Sequence, residues 1–467
     1  MWKYCVILAL VITILAFGLT GVGCKQSVPT PTPSPEGNVT VTQAWVARYD
    51  GGLADDDGAW AIAVDGSENI YVTGYSWGNG TSSDYATIKY DSTGNQSWVD
   101  RYNGPGNSED WAWDIALDKS GNIYVTGWST GNGTVSDFAT IKYDGNGSQL
   151  WVARYNGPAN GYDLAYALTL DNAGNVYVTG WSQGNFTDAD FATIKYDSNG
   201  NQIWVARYNG PASGEDKASA VAVDSAGNVY VTGSSTGSST GNGTGADYTT
   251  IKYDSDGNQL WVARYNGSAN KGDQASAMAL DGLGNIYVTG SSAGSGTETD
   301  YATVKYDSHG NQLWATRYSG PANGEDGATV LAVDISSNVY VTGASTGNAT
   351  GADYVSIKYD VNGNQLWVAR YNGPAHSEDT ASALVMDRAG SIYVTGWSTG
   401  NGTSYDYATI KYSNAGKQLW VARYDGPASR PDKAYALALG NSGSIYVTGR
   451  SSGKGTYYDF ATIKYNP

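Results

Sequence analysis

Short runs of alternating hydrophobic and polar residues follow one another along most of this chain. Between Leu164 and Gly210 they read LAYALTLD, NVYVTG, FATIKYD and IWVARYNG. These runs are rich in Val, Ile, Tyr, Thr and Trp, and Gly, Asn and Asp separate them, which is the pattern of short β-strands joined by turns. No helical period persists for more than a few residues. The pattern therefore predicts an all-β protein.

The four runs form one unit of about 53 residues that is written eight times. The phrase WVARY or a close variant begins at Trp45, Trp98, Trp151, Trp204, Trp261, Trp314, Trp367 and Trp420. Six of the seven intervals are 53 residues long and one is 57. A repeat of this length with four short strands is typical of a propeller blade. The sequence predicts an eight-bladed β-propeller of four-stranded antiparallel blades, with strands A (alanine-rich), B (YVTG), C (ATIKY) and D (WVARY).

The first and last repeats are incomplete, and the strands they contain predict how the ring closes. The first repeat element is a lone D strand, Trp45 to Tyr49, and the last is a C strand, Ala461 to Tyr465. We expect the first D strand to complete the last blade, which removes the free sheet edges. Alanines such as those at 218, 220 and 222 predict that strand A is innermost, with small side chains on one face where blades crowd around the axis.

The N-terminal residues differ in composition from the repeats. Lys3 precedes an apolar run from Val6 to Leu19, and small residues then lead to Cys24. This order is typical of an export signal. It resembles a bacterial lipoprotein signal in which Cys24 is lipidated; an uncleaved membrane anchor and a plain secretion signal remain alternatives. We predict a signal over 1–24, a Pro/Ser/Thr-rich tether over 25–42 and the propeller over 43–467, in an exported protein that contacts the membrane only through its N-terminus.

Composition argues against several classes of function. The net charge of -17 and the absence of a basic block argue against a nucleic-acid surface. Cys5 and Cys24 are the only cysteines, so the propeller has no disulfide and no thiolate metal site. His309 and His376 are the only histidines and fall in different blades, on opposite predicted faces, which argues against a histidine-based catalytic centre. Carboxylates are plentiful, so a glycosidase-type enzyme remains an alternative.

Strand order predicts that the D–A and B–C loops share one face, here called the long-loop face, and that the A–B and C–D hairpins share the opposite, tight-turn face. Two aspartates repeat on the long-loop face. The first series precedes strand A: Asp57, Asp110, Asp163, Asp216, Asp273, Asp326, Asp379 and Asp432. The second series opens strand C: Asp84, Asp137, Asp190, Asp247, Asp300, Asp353, Asp406 and Asp459. We expect each Asp to cap its own loop or to pair with the repeated Arg or Lys; calcium bound by the first series at some blades is the alternative.

Departures from the repeat indicate a candidate binding site. The residue after YVTG is aromatic in blades 1, 2, 3 and 7, which are contiguous through blade 8 once the ring closes. Trp60 and Trp113 add aromatic side chains to this sector, and one alanine of strand A is replaced by Asp in blade 2. The candidate site, here called the aromatic arc, consists of Tyr75, Trp77, Trp111, Asp114, Trp128, Trp181, Trp397 and Arg450. Flat rings beside carboxylates and amides suit sugar binding; packing between blades is the alternative use.

The repeat unit as a whole resembles the SBBP family of β-propeller repeats, which is found in bacterial and archaeal cell-surface proteins. The matching motifs are D-x-A-x-A-x-x-x-D-x-x-G-N-x-Y-V-T-G, as in Asp216 to Gly233, and the segment from Asp247 to Trp261. The resemblance implies a propeller used for surface display and binding, without shared catalytic residues. We therefore expect a monomeric, non-enzymatic cell-surface module that binds polysaccharide or a partner protein. A polysaccharide-acting enzyme and a purely structural envelope protein are the alternatives.

Overall fold

The computed structural model describes residues 41–466, except 53–54, 79, 238–244, 297 and 429. This part of the chain forms 32 β-strands in eight four-stranded antiparallel sheets. Among the described residues there is no helix with the length and apolar character of a membrane span. The predicted signal with Cys24, and residues 25–40 of the predicted tether, lie outside the described residues.

Each sheet is one blade, and its strands follow the predicted A–B–C–D order. Blade 1 contains β2 (Asp57–Val64), β3 (Ile70–Trp77), β4 (Ser83–Tyr90) and β5 (Gln96–Tyr102). Blade 2 contains β6 (Asp110–Leu117), β7 (Ile123–Ser129), β8 (Asp137–Tyr143) and β9 (Gln149–Tyr155). Blade 3 contains β10 (Asp163–Leu170), β11 (Val176–Gln183), β12 (Ala189–Tyr196) and β13 (Gln202–Tyr208). Blade 4 contains β14 (Asp216–Val223), β15 (Val229–Thr236), β16 (Ala246–Tyr253) and β17 (Gln259–Tyr265).

The second half of the ring repeats this arrangement. Blade 5 contains β18 (Asp273–Leu280), β19 (Ile286–Ala293), β20 (Thr299–Tyr306) and β21 (Gln312–Tyr318). Blade 6 contains β22 (Asp326–Val333), β23 (Val339–Thr346), β24 (Ala352–Tyr359) and β25 (Gln365–Tyr371). Blade 7 contains β26 (Asp379–Met386), β27 (Ile392–Thr399), β28 (Tyr405–Tyr412) and β29 (Gln418–Tyr424). Blade 8 contains β30 (Asp432–Leu439), β31 (Ile445–Ser452), β32 (Tyr458–Asn466) and the first strand of the chain, β1 (Thr42–Tyr49).

The ring closes as the sequence predicts. Strand β1 pairs antiparallel with β32, from Tyr49 opposite Phe460 to Thr42 opposite Asn466. The first D strand therefore supplies the outer strand of the last blade. The eight-bladed all-β fold and its closure by the N-terminal strand are confirmed.

Asp side chains hold the hairpins of the tight-turn face. The Asp171 carboxylate accepts the backbone N–H groups of Ala173 and Asn175, both at 2.9 Å, and the hydroxyl of Tyr177 at 3.0 Å. Gly174 has a φ of 82°, a conformation that glycine adopts without a steric penalty. These contacts form the tight hairpin between strands A and B that the strand order predicts.

Strand A contains a β-bulge that the sequence did not predict. In blade 4 the residues Ala218 and Ala220, two positions apart, pair with the adjacent residues Gly233 and Thr232. Because neighbouring residues of a strand alternate between faces, these alanines lie on opposite faces of the sheet. The prediction of one alanine face is wrong at this point. Both side chains are nevertheless buried, one against each neighbouring blade.

Hydrophobic side chains of neighbouring blades form the core. Tyr71 of blade 1 packs in one cluster with Ile115 and Ile141 of blade 2, and similar clusters continue around the ring. A repeated polar contact joins the outer strands. Lys142 Nζ of blade 2 lies 5.0 Å from the centre of its own Tyr124 ring and donates to the Ser198 carbonyl of blade 3 at 3.0 Å. The repeated Lys residues therefore pack between blades.

Candidate functional site

The first Asp series caps the long loops. In blade 2, Asp110 accepts the backbone N–H of Gly104 at 2.7 Å and that of Thr130 at 3.0 Å. The same two contacts recur in every described blade except blade 3, where Asp163 accepts only the equivalent of the first. One carboxylate thus ties the D–A loop to the end of strand B, and the expected capping role is confirmed.

Burial changes the acidity of these carboxyl groups. It raises the pKa of Asp57, Asp110 and Asp432 from 3.8 to about 6, although loop amides and a serine hydroxyl act in the opposite direction. The cost of removing a carboxylate from water therefore exceeds the gain from these hydrogen bonds. Calcium binding by this series remains a proposal.

The second Asp series forms ion pairs with the repeated Arg residues. In blade 2, Arg154 Nη2 lies 2.8 Å from Asp137 Oδ2, and Nη1 donates to the Tyr102 hydroxyl of blade 1 at 3.0 Å. One guanidinium group therefore joins two strands of its own blade to the preceding blade. Equivalent pairs occur at Arg48–Asp459, Arg101–Asp84, Arg207–Asp190, Arg264–Asp247, Arg317–Asp300, Arg370–Asp353 and Arg423–Asp406. The expected Arg–Asp pairing is confirmed.

Two clusters of three carboxylates flank blade 8, and sequence reasoning missed both. They consist of Asp50, Asp57 and Asp459, and of Asp406, Asp425 and Asp432, with oxygen atoms within 4.8 Å of one another in each cluster. Such clusters have the geometry to hold a cation. One feature of the sequence could have indicated these clusters. Asp50 and Asp425 occupy a loop position that is Asn or Ser in the other repeats.

A row of stacked rings occupies the seam between blades 1 and 2 on the long-loop side. The Tyr75 and Trp111 rings are nearly parallel, at 10°, with centroids 4.3 Å apart, and Trp111 stacks on its cross-strand neighbour Trp128 at 5.7 Å. Trp111 Nε1 also donates to the hydroxyl of Ser83 at 2.7 Å, and Ser83 lies opposite Trp77. The structure therefore brings four predicted site residues together.

A second row of rings runs through the β-bulges of four consecutive blades. The bulge residues Tyr435, Trp60, Trp113 and Tyr166 contact one another in that order, with centroid distances of 4.3, 4.9 and 5.9 Å. The bulge residues of blades 4, 6 and 7 are Ser219, Thr329 and Ser382, whose hydroxyls donate to a carbonyl of the next blade. Aromatic contacts thus replace hydrogen bonds over half of the ring. Sequence reasoning missed Tyr166 and Tyr435, although their spacing from Trp60 and Trp113 follows the repeat.

The members of the aromatic arc differ in exposure. Tyr75 and Trp397 are buried, at 4% and 6% exposure, so these two rings mainly fill the spaces between blades. Trp77, Trp111, Trp128, Trp181 and Arg450 are half-buried. At the two ends of the arc, Lys217 lies over Trp181 at 5.3 Å and Lys433 lies over Trp397 at 4.6 Å. The half-buried rings can therefore support the seams and still present an edge or face to a ligand.

Asp114 lies deeper than the other members of the arc. It is 4% exposed, and its carboxylate accepts the N–H of Ile115 at 2.8 Å and the N–H of Leu168 in blade 3 at 2.9 Å. It also lines a cleft of about 390 Å³ formed with hairpin residues of blades 2 and 3, on the tight-turn side. Burial raises its pKa from 3.8 to about 7. Asp114 therefore joins two A strands instead of lying beside the exposed rings.

Arg450 lies over rings of its own blade. Its guanidinium carbon is 4.4 Å from the centre of the Tyr458 ring and 5.9 Å from that of Tyr435. The two histidines lie in loops of different blades. His309 lies in an exposed C–D hairpin, and His376 in an exposed D–A loop where its Nδ1 contacts Asn372 at 2.8 Å.

A known family of repeats matches this chain and is itself a propeller repeat. The SBBP family, described as a beta-propeller repeat, matches residues 51–80, 100–133, 150–187, 203–239 and 261–296. The matched segments carry the strands A and B and the long loops described above. Five repeats of this chain therefore match the SBBP beta-propeller repeat, which confirms the resemblance found in the sequence.

Individual relatives are distant. An uncharacterized WD repeat-containing protein of Acanthamoeba polyphaga mimivirus is 25% identical over 432 residues, and the match covers 83% of this chain but only 28% of that protein. Among solved structures, Drosophila Plexin A in complex with Semaphorin 1b is 10% identical with a TM-score of 0.43, covering 91% of this chain and 88% of that one. The WD40 domain of SCAP from fission yeast is 12% identical with a TM-score of 0.42, covering 91% and 97%.

Proposed function

We propose that this protein is a non-enzymatic, surface-displayed propeller that binds polysaccharide through the aromatic arc on its long-loop face. The observation that carries the proposal is the row formed by Tyr75, Trp111 and Trp128, of which both Trp rings are half-buried. Apolar faces of sugar rings stack on such side chains, and nearby polar groups bind the hydroxyls. The row continues through bulge rings to Trp181, whose Nε1 donates to the Tyr166 hydroxyl at 3.0 Å.

Binding without cleavage is favoured by what the repeated carboxylates do. The Asp110 series accepts loop N–H groups, and one oxygen of each carboxylate in the Asp137 series pairs with a guanidinium group. Because these contacts recur from blade to blade, the repeated carboxylates serve the scaffold, which argues against an acid and base pair placed at one glycosidic bond. We infer surface display from the predicted N-terminal signal and tether, which would carry the propeller away from the membrane. A partner protein on the same face is the second candidate ligand, since half-buried Trp residues also anchor protein interfaces.

The double substitution W128S/W181S tests the site. Blades 4 and 5 carry Ser234 and Ser291 at the same position, so this replacement copies a residue that the fold already accepts. S234A/S291A is the matched control on the other side of the ring. Affinity electrophoresis of all three proteins against a panel of cell-envelope polysaccharides should show retardation of the wild type and of the control, and its loss in W128S/W181S.

The polymer must also be recovered intact. Size-exclusion chromatography of the bound polysaccharide should show no shortening after prolonged incubation with the wild type. Shortening would overturn the non-enzymatic assignment. Equal retardation of wild type and W128S/W181S would overturn the arc as the binding site.

A further inference from the structure

The cations of the long-loop face are concentrated on blade 8. Apart from the Arg residues that pair with the second Asp series, this face carries six cationic side chains in an acidic chain of net charge -17. Four of the six belong to blade 8 or to the loop that enters it: Arg430, Lys433, Arg450 and Lys454. The other two are Lys217 in blade 4 and Lys271 before blade 5. Blade 8 therefore carries most of these cations.

Two of these cations line an open groove. The D–A loop that enters blade 8 and the B–C loop of blade 8 enclose a space of about 520 Å³, lined by Arg430, Lys454, Thr456 and Tyr457. Arg430 and Lys454 are exposed, and neither forms an ion pair within the described chain. Tyr457 is 62% exposed, so its ring is available for stacking. The groove thus combines two uncompensated positive charges with one aromatic face.

The other two cations, Lys433 and Arg450, lie over aromatic rings between this groove and the aromatic arc. Lys433 lies over the rings of Trp397 and Tyr405, at 4.6 and 4.8 Å, and Arg450 lies over Tyr458 at 4.4 Å. Aromatic faces attract a cation but carry no net charge, so these ring contacts do not themselves neutralise either side chain. Of the nearby carboxylates, Asp432 accepts the N–H groups of Gly426 and Ser452, and Asp56 interacts electrostatically with Arg450. Arg430 and Lys454 are therefore the two cations that the groove offers to a ligand.

We infer that the groove of blade 8 binds acidic groups of a polysaccharide, namely uronate carboxylates or sulfate esters, while the aromatic arc stacks on the sugar rings. This inference rests on the proposed function and specifies its ligand class. Exposed Arg and Lys side chains donate charge-assisted hydrogen bonds to such anions. At physiological ionic strength the screening length is about 8 Å, so contacts at hydrogen-bond distance are screened far less than repulsion from carboxylates beyond that length.

The test compares acidic polymers with neutral forms of the same backbone. Polygalacturonate and a sulfated galactan are immobilised beside their methyl-esterified and desulfated forms, and binding of the purified protein is measured at low and high salt. The variant R430Q/K454Q removes the two groove charges. The control K119Q/K271Q removes two charges outside the groove, one on each face, and gives the same net charge.

We expect at least one acidic polymer to bind more tightly than its neutral form, with the preference falling at high salt. R430Q/K454Q should weaken that binding about five- to tenfold, and K119Q/K271Q should leave it unchanged. Equal affinity for acidic and neutral forms, or equal weakening by both double variants, would overturn the inference and leave the proposed function standing. Binding of polyaspartate as tight as that of the acidic polymers would also overturn it, because it would indicate a site for charge alone. No binding to any acidic or neutral polymer would overturn both proposals.

Discussion

Arg48 and Asp459 lie 411 residues apart in the sequence and form an ion pair with an N–O distance of 2.6 Å. The equivalent pair in the other blades joins residues of one hairpin, such as Asp137 and Arg154, which are 17 residues apart. The chain ends are therefore closed by the same contact that stabilises every other blade. Arg48 also donates to the Tyr424 hydroxyl of blade 7 at 3.1 Å, which locks the closing strand to the preceding blade.

Loss of the Arg48–Asp459 ion pair should affect the N-terminal strand in a way that loss of the same pair in another blade does not. The Arg48 and Asp459 side chains are 23% and 7% exposed, so removing the cation leaves a largely buried carboxylate without its partner. R48Q and the internal control R207Q should each lower the free energy of unfolding by about 2 to 3 kcal/mol in urea titrations. Only R48Q should accelerate proteolysis near the N-terminus, because only there does the strand depend on a partner at the other end of the chain. Equal N-terminal cleavage of both variants would contradict this view of closure.

Asp114 should make the stability of the protein depend on pH. Burial raises its pKa from 3.8 to about 7 in the folded protein, so between these values the folded state holds a proton that the unfolded state has released. Stability from this group is therefore present at acidic pH and is lost as the pH rises toward 7. The loss amounts to roughly 4 kcal/mol at most for a shift of this size. The variant D114N should flatten this part of the profile.

The measurement is the difference in urea midpoint between wild type and D114N from pH 4 to 8. Other buried carboxyl groups, including Asp110, titrate in both proteins and cancel in the difference. D114N should be relatively more stable at pH 8 than at pH 5. A difference that does not change with pH would show that Asp114 does not titrate as described.

A buried tyrosine hydroxyl bonds one blade to the next, and another blade has Phe at the same position, which provides a natural control. The Tyr85 hydroxyl of blade 1 donates to the Ala139 carbonyl of blade 2 at 3.0 Å, whereas blade 2 carries Phe138 at the same position. Y85F should cost about 1 kcal/mol in unfolding free energy. F138Y should gain a comparable bond to blade 3 and raise the melting temperature. Destabilisation by F138Y would mean that the seam between blades 2 and 3 has no room for the hydroxyl.

Removal of divalent cations should leave the propeller stable. Loop amides bind Asp57, Arg48 pairs with one oxygen of Asp459, and β1 pairs with β32, so the blades beside the first acidic cluster are joined by contacts that need no metal. Thermal unfolding should give the same midpoint in calcium and in chelator. A higher midpoint in calcium that is abolished by D50N or D425N would instead assign calcium to the clusters beside blade 8.

The eight-bladed ring could be predicted because the repeat period and the incomplete first and last repeats can be read from the sequence alone. The strand order, the closing strand and the hairpins all follow from spacing and turn residues. The bulge at Ser219 did not, because pairing register depends on how strand A meets its neighbours near the axis. The acidic cluster of Asp50, Asp57 and Asp459 was missed for a similar reason: its members come from three elements, one of them at the far end of the chain.

The central claim, that the aromatic arc binds sugars, is tested most directly by a glycan array probed with the propeller over 43–467, wild type beside W128S/W181S, in calcium and in chelator. The account predicts that the wild type binds a defined set of glycans equally in both conditions and that the double variant binds none of them. Absence of binding by the wild type, or the same glycans bound by the double variant, would contradict it and leave Tyr75, Trp111 and their neighbours as packing between blades.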